Sequence, residues 1–229
     1  MAAALLGLAA CAPVQPDLVD VGRAQLQLPS APSGQWQPLG DEASATFDVL
    51  PDDTAHDLPM RSRAMALRNA RGDLLATLLV QTNATSHPRD ATLWSAACRP
   101  AKDVQVDDFS SGSPVRIDCL RYKRHADAGY LKASHPELAR WIDGHKAEPL
   151  QPYAYMSYRY STAEGGYVAV DVLADQRLLR PPTHNNEEFL RAGRPAQAWM
   201  LQLRQAARQS VAMLDGRFVV PPFPQSVPE

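Results

Sequence analysis

Short runs of alternating apolar and polar residues, separated by turns rich in glycine and proline, run through most of this chain. Arg23-Ala-Gln-Leu-Gln-Leu28 places Ala24, Leu26 and Leu28 on one face, the period-two pattern of a half-buried strand. After the turn-forming Pro29-Ser-Ala-Pro-Ser-Gly34, the segment Gln35–Leu39 is expected to return as a short strand. Pro38 cannot donate to a ladder and so assigns that strand to an edge or an end. Thr46–Leu50 is another short strand, stopped by Pro51-Asp-Asp. Met60–Arg68 and Asp73–Thr82 flank Asn69-Ala-Arg-Gly72 and predict a hairpin. Its second arm carries Leu74, Ala76, Leu78 and Val80 on one face and Leu75 and Leu79 on the other. Being apolar on both sides, it belongs in a sheet interior.

Two more hairpins follow. Val104–Val106 and Val115–Cys119 bracket the turn Ser110–Pro114, and alternation turns Val115, Ile117 and Cys119 inward. Tyr153–Tyr160 pairs with Tyr167–Leu173 around Ala163–Gly166, with Val168, Val170 and Val172 on one face. The period then changes. Trp199, Leu203, Ala206, Ala207, Ser210, Val211 and Leu214 recur at helical spacing from Pro195 to Leu214, with Arg204 and Arg208 opposite and Asp215-Gly216 as the stop. Shorter helices are expected after Ser134, read as an N-cap with Glu137 at capping-box spacing, and after Asn185, with Glu188 in the same relation. The expected fold is α+β: an antiparallel sheet of hairpins, covered by the long C-terminal helix on its Val168/Val170/Val172 face. This arrangement resembles the PsbP/Mog1-type sandwich of some bacterial lipoproteins, a likeness of fold that implies no function.

The N-terminus has its own pattern. The apolar run Met1–Ala10 is too short for a bilayer, where about 20 residues are needed, and fits the h-region of an export signal. It ends in Leu8-Ala9-Ala10-Cys11, which resembles a bacterial lipobox. The resemblance implies cleavage before Cys11 and acylation there, with the membrane as a partner through the lipid. Ala12 in place of Asp favours the outer membrane over the inner. No Lys or Arg precedes the run, so the signal is expected to be N-terminally incomplete. Residues 1–10 then form the signal, 11–22 a tether, 23–216 one domain and 217–229 an extended Pro-rich tail.

Composition narrows the function classes. A length of 229 residues suits one domain, and a net charge of −2 with interspersed signs argues against nucleic acid as a partner. With Cys11 assigned to lipid, Cys98 and Cys119 remain as a pair for an oxidising envelope. Bridging a loop of about 20 residues would stabilise the fold by roughly 3 kcal/mol. The six histidines are dispersed, HExxH is absent, and Asp52-Asp-Thr-Ala-His56 and His87-Pro-Arg-Asp90 read as solvated turns; neither metal nor cofactor is expected. GxSxG and SxxK are also absent, and Ser110-Ser-Gly-Ser113 is turn chemistry, so no catalytic residue is assigned. Two features remain for binding. Tyr153 and Tyr155 share one strand face and Tyr158 and Tyr160 the other; such rings stack on sugars or partners, or pack as ordinary cross-strand pairs. Arg177-Leu-Leu-Arg180 opens a Pro-rich polar connection that could meet an anion or a partner. The leading expectation is a non-enzymatic envelope lipoprotein on the periplasmic side, acting on an envelope protein through the tyrosine hairpin, the Arg177–Asn186 loop or the tail. The alternatives are a periplasmic small-ligand or glycan-binding module and a hydrolase with an unrecognised site.

Overall fold

The structure is a computed structural model that describes residues 18–47, 49–50, 58–85, 93–94, 98–111, 113, 116–212 and 216–227. The lipobox with Cys11, Asp52–His56 and His87–Asp90 lie outside the described residues. The chain opens with β1 (Leu18–Val21) and β2 (Ala24–Gln27), then β3 (Gln35–Pro38), β4 (Ala43–Phe47), β5 (Val49–Leu50), β6 (Leu58–Arg68) and β7 (Leu74–Asn83). Next come β8 (Leu93–Trp94), β9 (Gln105–Asp108), β10 (Asp118–Ala126) and two helices, α1 (Ala128–Ser134) and α2 (Pro136–His145). A hairpin of β11 (Tyr153–Ser161) and β12 (Tyr167–Asp175) leads into α3 (Gln176–Leu179), α4 (Asn186–Ala192), α5 (Pro195–Ala212) and β13 (Arg217–Val219).

The fold is α+β, as expected. One antiparallel sheet has the order β3-β6-β7-β12-β11-β10-β9, and β4 continues the outer edge of β6 beside β3. Pro38 sits on that edge, and β7, apolar on both faces, lies between β6 and β12. Val168, Val170 and Val172 pack with Trp199, Leu203, Ala207 and Val211, so α5 covers the face that alternation assigned to it. The opposite face carries two smaller clusters. One gathers Trp94, Ile117, Cys119 and Tyr167; the other joins Leu131 and Ile142 of the short helices to Tyr153, Tyr155 and Leu173.

Three boundaries differ from the sequence reading. The tether ends earlier than expected, because β1 pairs with β2 around Gly22 and buries Val21. The tail is not a free appendage: β13 runs parallel to β2 and puts Phe218 and Val220 into the main core, and Val227 follows. The domain therefore spans at least residues 18–227. Ser134 is not an N-cap but the last residue of α1, which Asp127 caps by accepting from the Tyr130 amide at 2.7 Å. Pro136 then takes the first turn of α2, the one place in a helix where its missing N–H costs nothing.

Candidate functional site

Cys98 and Cys119 form a disulfide with Cα atoms 5.5 Å apart. Cys119 faces inward beside Ile117, as alternation required, and the bridge ties the loop before β9 to β10. Next to it the Trp94 indole stacks on Tyr167 at 5.4 Å and donates to the Thr162 carbonyl. This end of the sheet is thus covalently and aromatically pinned.

The tyrosine strand divides its faces as expected, but it offers no aromatic platform. Tyr153, Tyr155 and Tyr158 are fully buried. Each phenol is held by a carboxylate: Tyr153 by Glu148 (2.9 Å), Tyr155 by Asp171 (2.8 Å) and Tyr158 by Asp118 (2.9 Å). Burial, reinforced by that carboxylate, raises all three phenols above their ordinary pKa. A ring closed in by helices on one side and sheet neighbours on the other cannot stack on a ligand, which corrects the binding role expected of these three. Tyr160 alone of the four remains partly exposed.

The two arginines of the Pro-rich connection separate. Arg177 is held by Asp175 through Nε (3.0 Å) and Nη2 (2.6 Å) at the rim of a cleft of about 630 Å³ that also carries Asp73 and Glu148. Its charge is answered locally, so it is not a free anion receptor. Arg180 stands elsewhere. Its amide donates to the carbonyl of Gln176, whose side-chain amide lies 2.8 Å from His125 Nδ1. Burial and then Arg124 depress the pKa of Arg180, and burial followed by Arg124 and Arg180 depresses that of His125. Among the described residues no carboxylate pairs with Arg124 or Arg180. Beyond Arg180 the chain stays at the surface from Pro182 to Glu187, held by the expected Asn185–Glu188 capping box (Glu188 amide to Asn185 Oδ1, 2.8 Å). Leu190, 76 % exposed, follows on α4.

Two buried ion pairs were missed in the sequence. Arg159 Nη2 lies 2.7 Å from Asp171, and its Nη1 donates to the Val170 carbonyl on the neighbouring strand. On the other face, Asp118 accepts from Arg204 through Nε (3.1 Å) and Nη2 (2.9 Å), with Arg208 Nη1 3.5 Å away. Arg204 and Arg208, opposite the apolar stripe of the helix, turn back onto Asp118 and flank a cleft of about 580 Å³ with Tyr160, Leu201, Gln205 and Gln209. Alternation does put Asp118 opposite Cys119, which was a usable signal, but only the docked helix reveals that this opposite face is covered. Among the described residues no group of three or more His, Cys, Asp or Glu side chains is placed to hold a metal ion, and no helix is long and apolar enough to cross a membrane. No protein family, curated protein or solved structure matches the chain.

Proposed function

We propose that this protein is an envelope lipoprotein, anchored to a membrane through lipidated Cys11, whose domain works by binding an envelope protein rather than by catalysis. The observation that carries the contact is the segment Pro182–Leu190, exposed along most of its length yet locally fixed by its capping box. It ends in Leu190, 76 % exposed, and it follows Arg180, which, like the neighbouring Arg124, has no carboxylate partner among the described residues. The Cys98–Cys119 disulfide supports the oxidising compartment. Of the three contact regions expected from sequence, the tyrosine hairpin and the tail are used inside the fold, and the Arg177–Asn186 connection is left for the partner.

Two measurements test the reading separately. With the gene expressed from its own locus, an alkyne palmitate analogue should label the protein, and Cys11→Ala should abolish the label. A photo-crosslinking residue at Thr183 or Leu190 should capture one discrete envelope protein, whereas the same group at Ala163 in the hairpin turn should not. Absence of an adduct at both test positions would remove the protein-contact role.

A further inference from the structure

We propose that the cleft between α5 and the end of β11 is a binding site for a small acidic sugar, its carboxylate taken by Arg208 and its ring lying against Tyr160 and Leu201. The proposal does not depend on the anchor at Cys11 or on the contact at Leu190.

Charge counting begins the case. Arg204 engages both oxygens of Asp118, and the Tyr158 hydroxyl donates to Oδ1 as well. Arg208 reaches only Oδ2, at 3.5 Å, beyond good hydrogen-bond length. One carboxylate thus faces two guanidinium groups, and among the described residues neither has a second acidic partner. One positive charge is left over. It does not belong to Arg204, which is 17 % exposed and lies over the Phe109 ring with its guanidinium carbon 3.5 Å from the ring centroid. It belongs to Arg208, 41 % exposed and 5.1 Å from the Tyr160 centroid, at the mouth of the cleft. A planar guanidinium with unfilled donors matches a carboxylate in two-pronged geometry.

The other walls select the rest of the ligand. Gln205 and Gln209, one helical turn apart, bring two amides that both donate and accept, the pattern that sugar hydroxyl and acetamido groups require. Tyr160 and Leu201, the latter 42 % exposed, supply apolar contact for a ring's C–H face. A volume of about 580 Å³ lies within the ordinary range of small-molecule sites. Inorganic phosphate would use the cation and leave the amides and the apolar wall idle.

N-acetylmuramic acid and N-acetylglucosamine separate these contributions, because the second lacks the carboxylate-bearing ether. Calorimetric titration of the intact domain at low salt should show saturable binding of N-acetylmuramic acid, at least tenfold tighter than of N-acetylglucosamine or inorganic phosphate. Arg208→Gln, which leaves the Arg204–Asp118 pair intact, should weaken it at least tenfold, and Tyr160→Ala should weaken it without changing its salt dependence. No saturable binding of N-acetylmuramic acid overturns the proposal, as does equal binding of the neutral sugar or an Arg208→Gln variant that binds like the parent. Phosphate binding as tightly as the acid overturns the sugar part and reduces the cleft to an anion site.

Discussion

Asp118 is where a single side chain has most to lose, since it sits beneath α5 at 3 % exposure with three donors aimed at it. Asp118→Ala strands Arg204, which is itself mostly covered, and removing one member of a buried pair costs about 3 kcal/mol or more. Arg208→Gln touches the same carboxylate from a half-exposed position and should cost less than about 1 kcal/mol. Chemical denaturation of both variants checks the contrast, and equal losses would mean that Arg208, not Arg204, is the partner whose pairing with Asp118 matters. A second residue-scale prediction concerns pH. His135 lies 4.9 Å from the Tyr155 ring, and burial lowers its pKa, with Asp171 on β12 opposing and Arg159 and Arg121 on β11 and β10 adding to the fall. The unfolded chain therefore binds the proton more readily, so this histidine's contribution to stability is lost as pH falls below about 6.5. Unfolding midpoints of the parent and of His135→Gln at pH 7.5 and 5.5 should show a smaller acid loss in the variant; an identical loss would place the acid sensitivity elsewhere. These residues also mark the limits of sequence reading. Cys119 is assigned inward because its alternating neighbour Ile117 is apolar, whereas alternation gives the face of Asp118 and Asp171 but not their burial, because a polar residue in a strand reads as solvent-facing until something is known to cover it.

Elements with strong local periodicity were legible; those made by distant pairing were not. The β6–β7 and β11–β12 hairpins and α5 each carry enough apolar repeats to declare their type and buried face. The second half of β10, Arg121-Tyr-Lys-Arg-His125, is dominated by charge and lacks such a repeat, so its length went unread. The small β1-β2-β13 sheet is harder still, because β2 and β13 are four and three residues long and pair across almost the whole chain. Its register rests on Gly216, at φ 61° where the incoming strand passes so close that an added Cβ would lie 2.4 Å from the Arg23 carbonyl oxygen. Gly216→Ala combines left-handed strain with that clash and should cost about 2 kcal/mol or more. The disulfide acts on a different element by limiting the unfolded loop between positions 98 and 119. A Cys98→Ser/Cys119→Ser variant should lose roughly 3 kcal/mol, and reductant should shift the parent's melting towards it. Parent melting that ignores reductant would show that the bridge contributes little.

At the scale of the whole molecule, the question is what closes the sheet face that α5 leaves partly open, and the answer is the C-terminal segment. After β13 the chain crosses the start of α5, where Phe223 stacks on Trp199 at 4.8 Å and on Trp36 at 6.3 Å. The Trp199 indole donates to the Pro221 carbonyl, the Gln225 amide to Leu178, and the Val227 amide to Ser33 Oγ. This segment thus fastens β3 to α3 and α5, which lie far from it in sequence. Ending the chain after Val220 removes the buried Val227 and the stacked Phe223 and uncovers what they pack on, a loss of about 3 kcal/mol of apolar burial before the ordering of the segment is subtracted. Each kcal/mol moves the melting temperature of a domain this size by roughly 2–4 °C, so a fall of about 4–10 °C is expected. Because Trp199 would lose its proline carbonyl and its stacked ring together, the emission of the folded protein should also shift to the red, a readout that lowered stability alone does not produce. A truncated chain that melts with the parent and keeps its emission maximum would make the tail a passenger on the domain, and would return it to the list of surfaces open to an envelope partner.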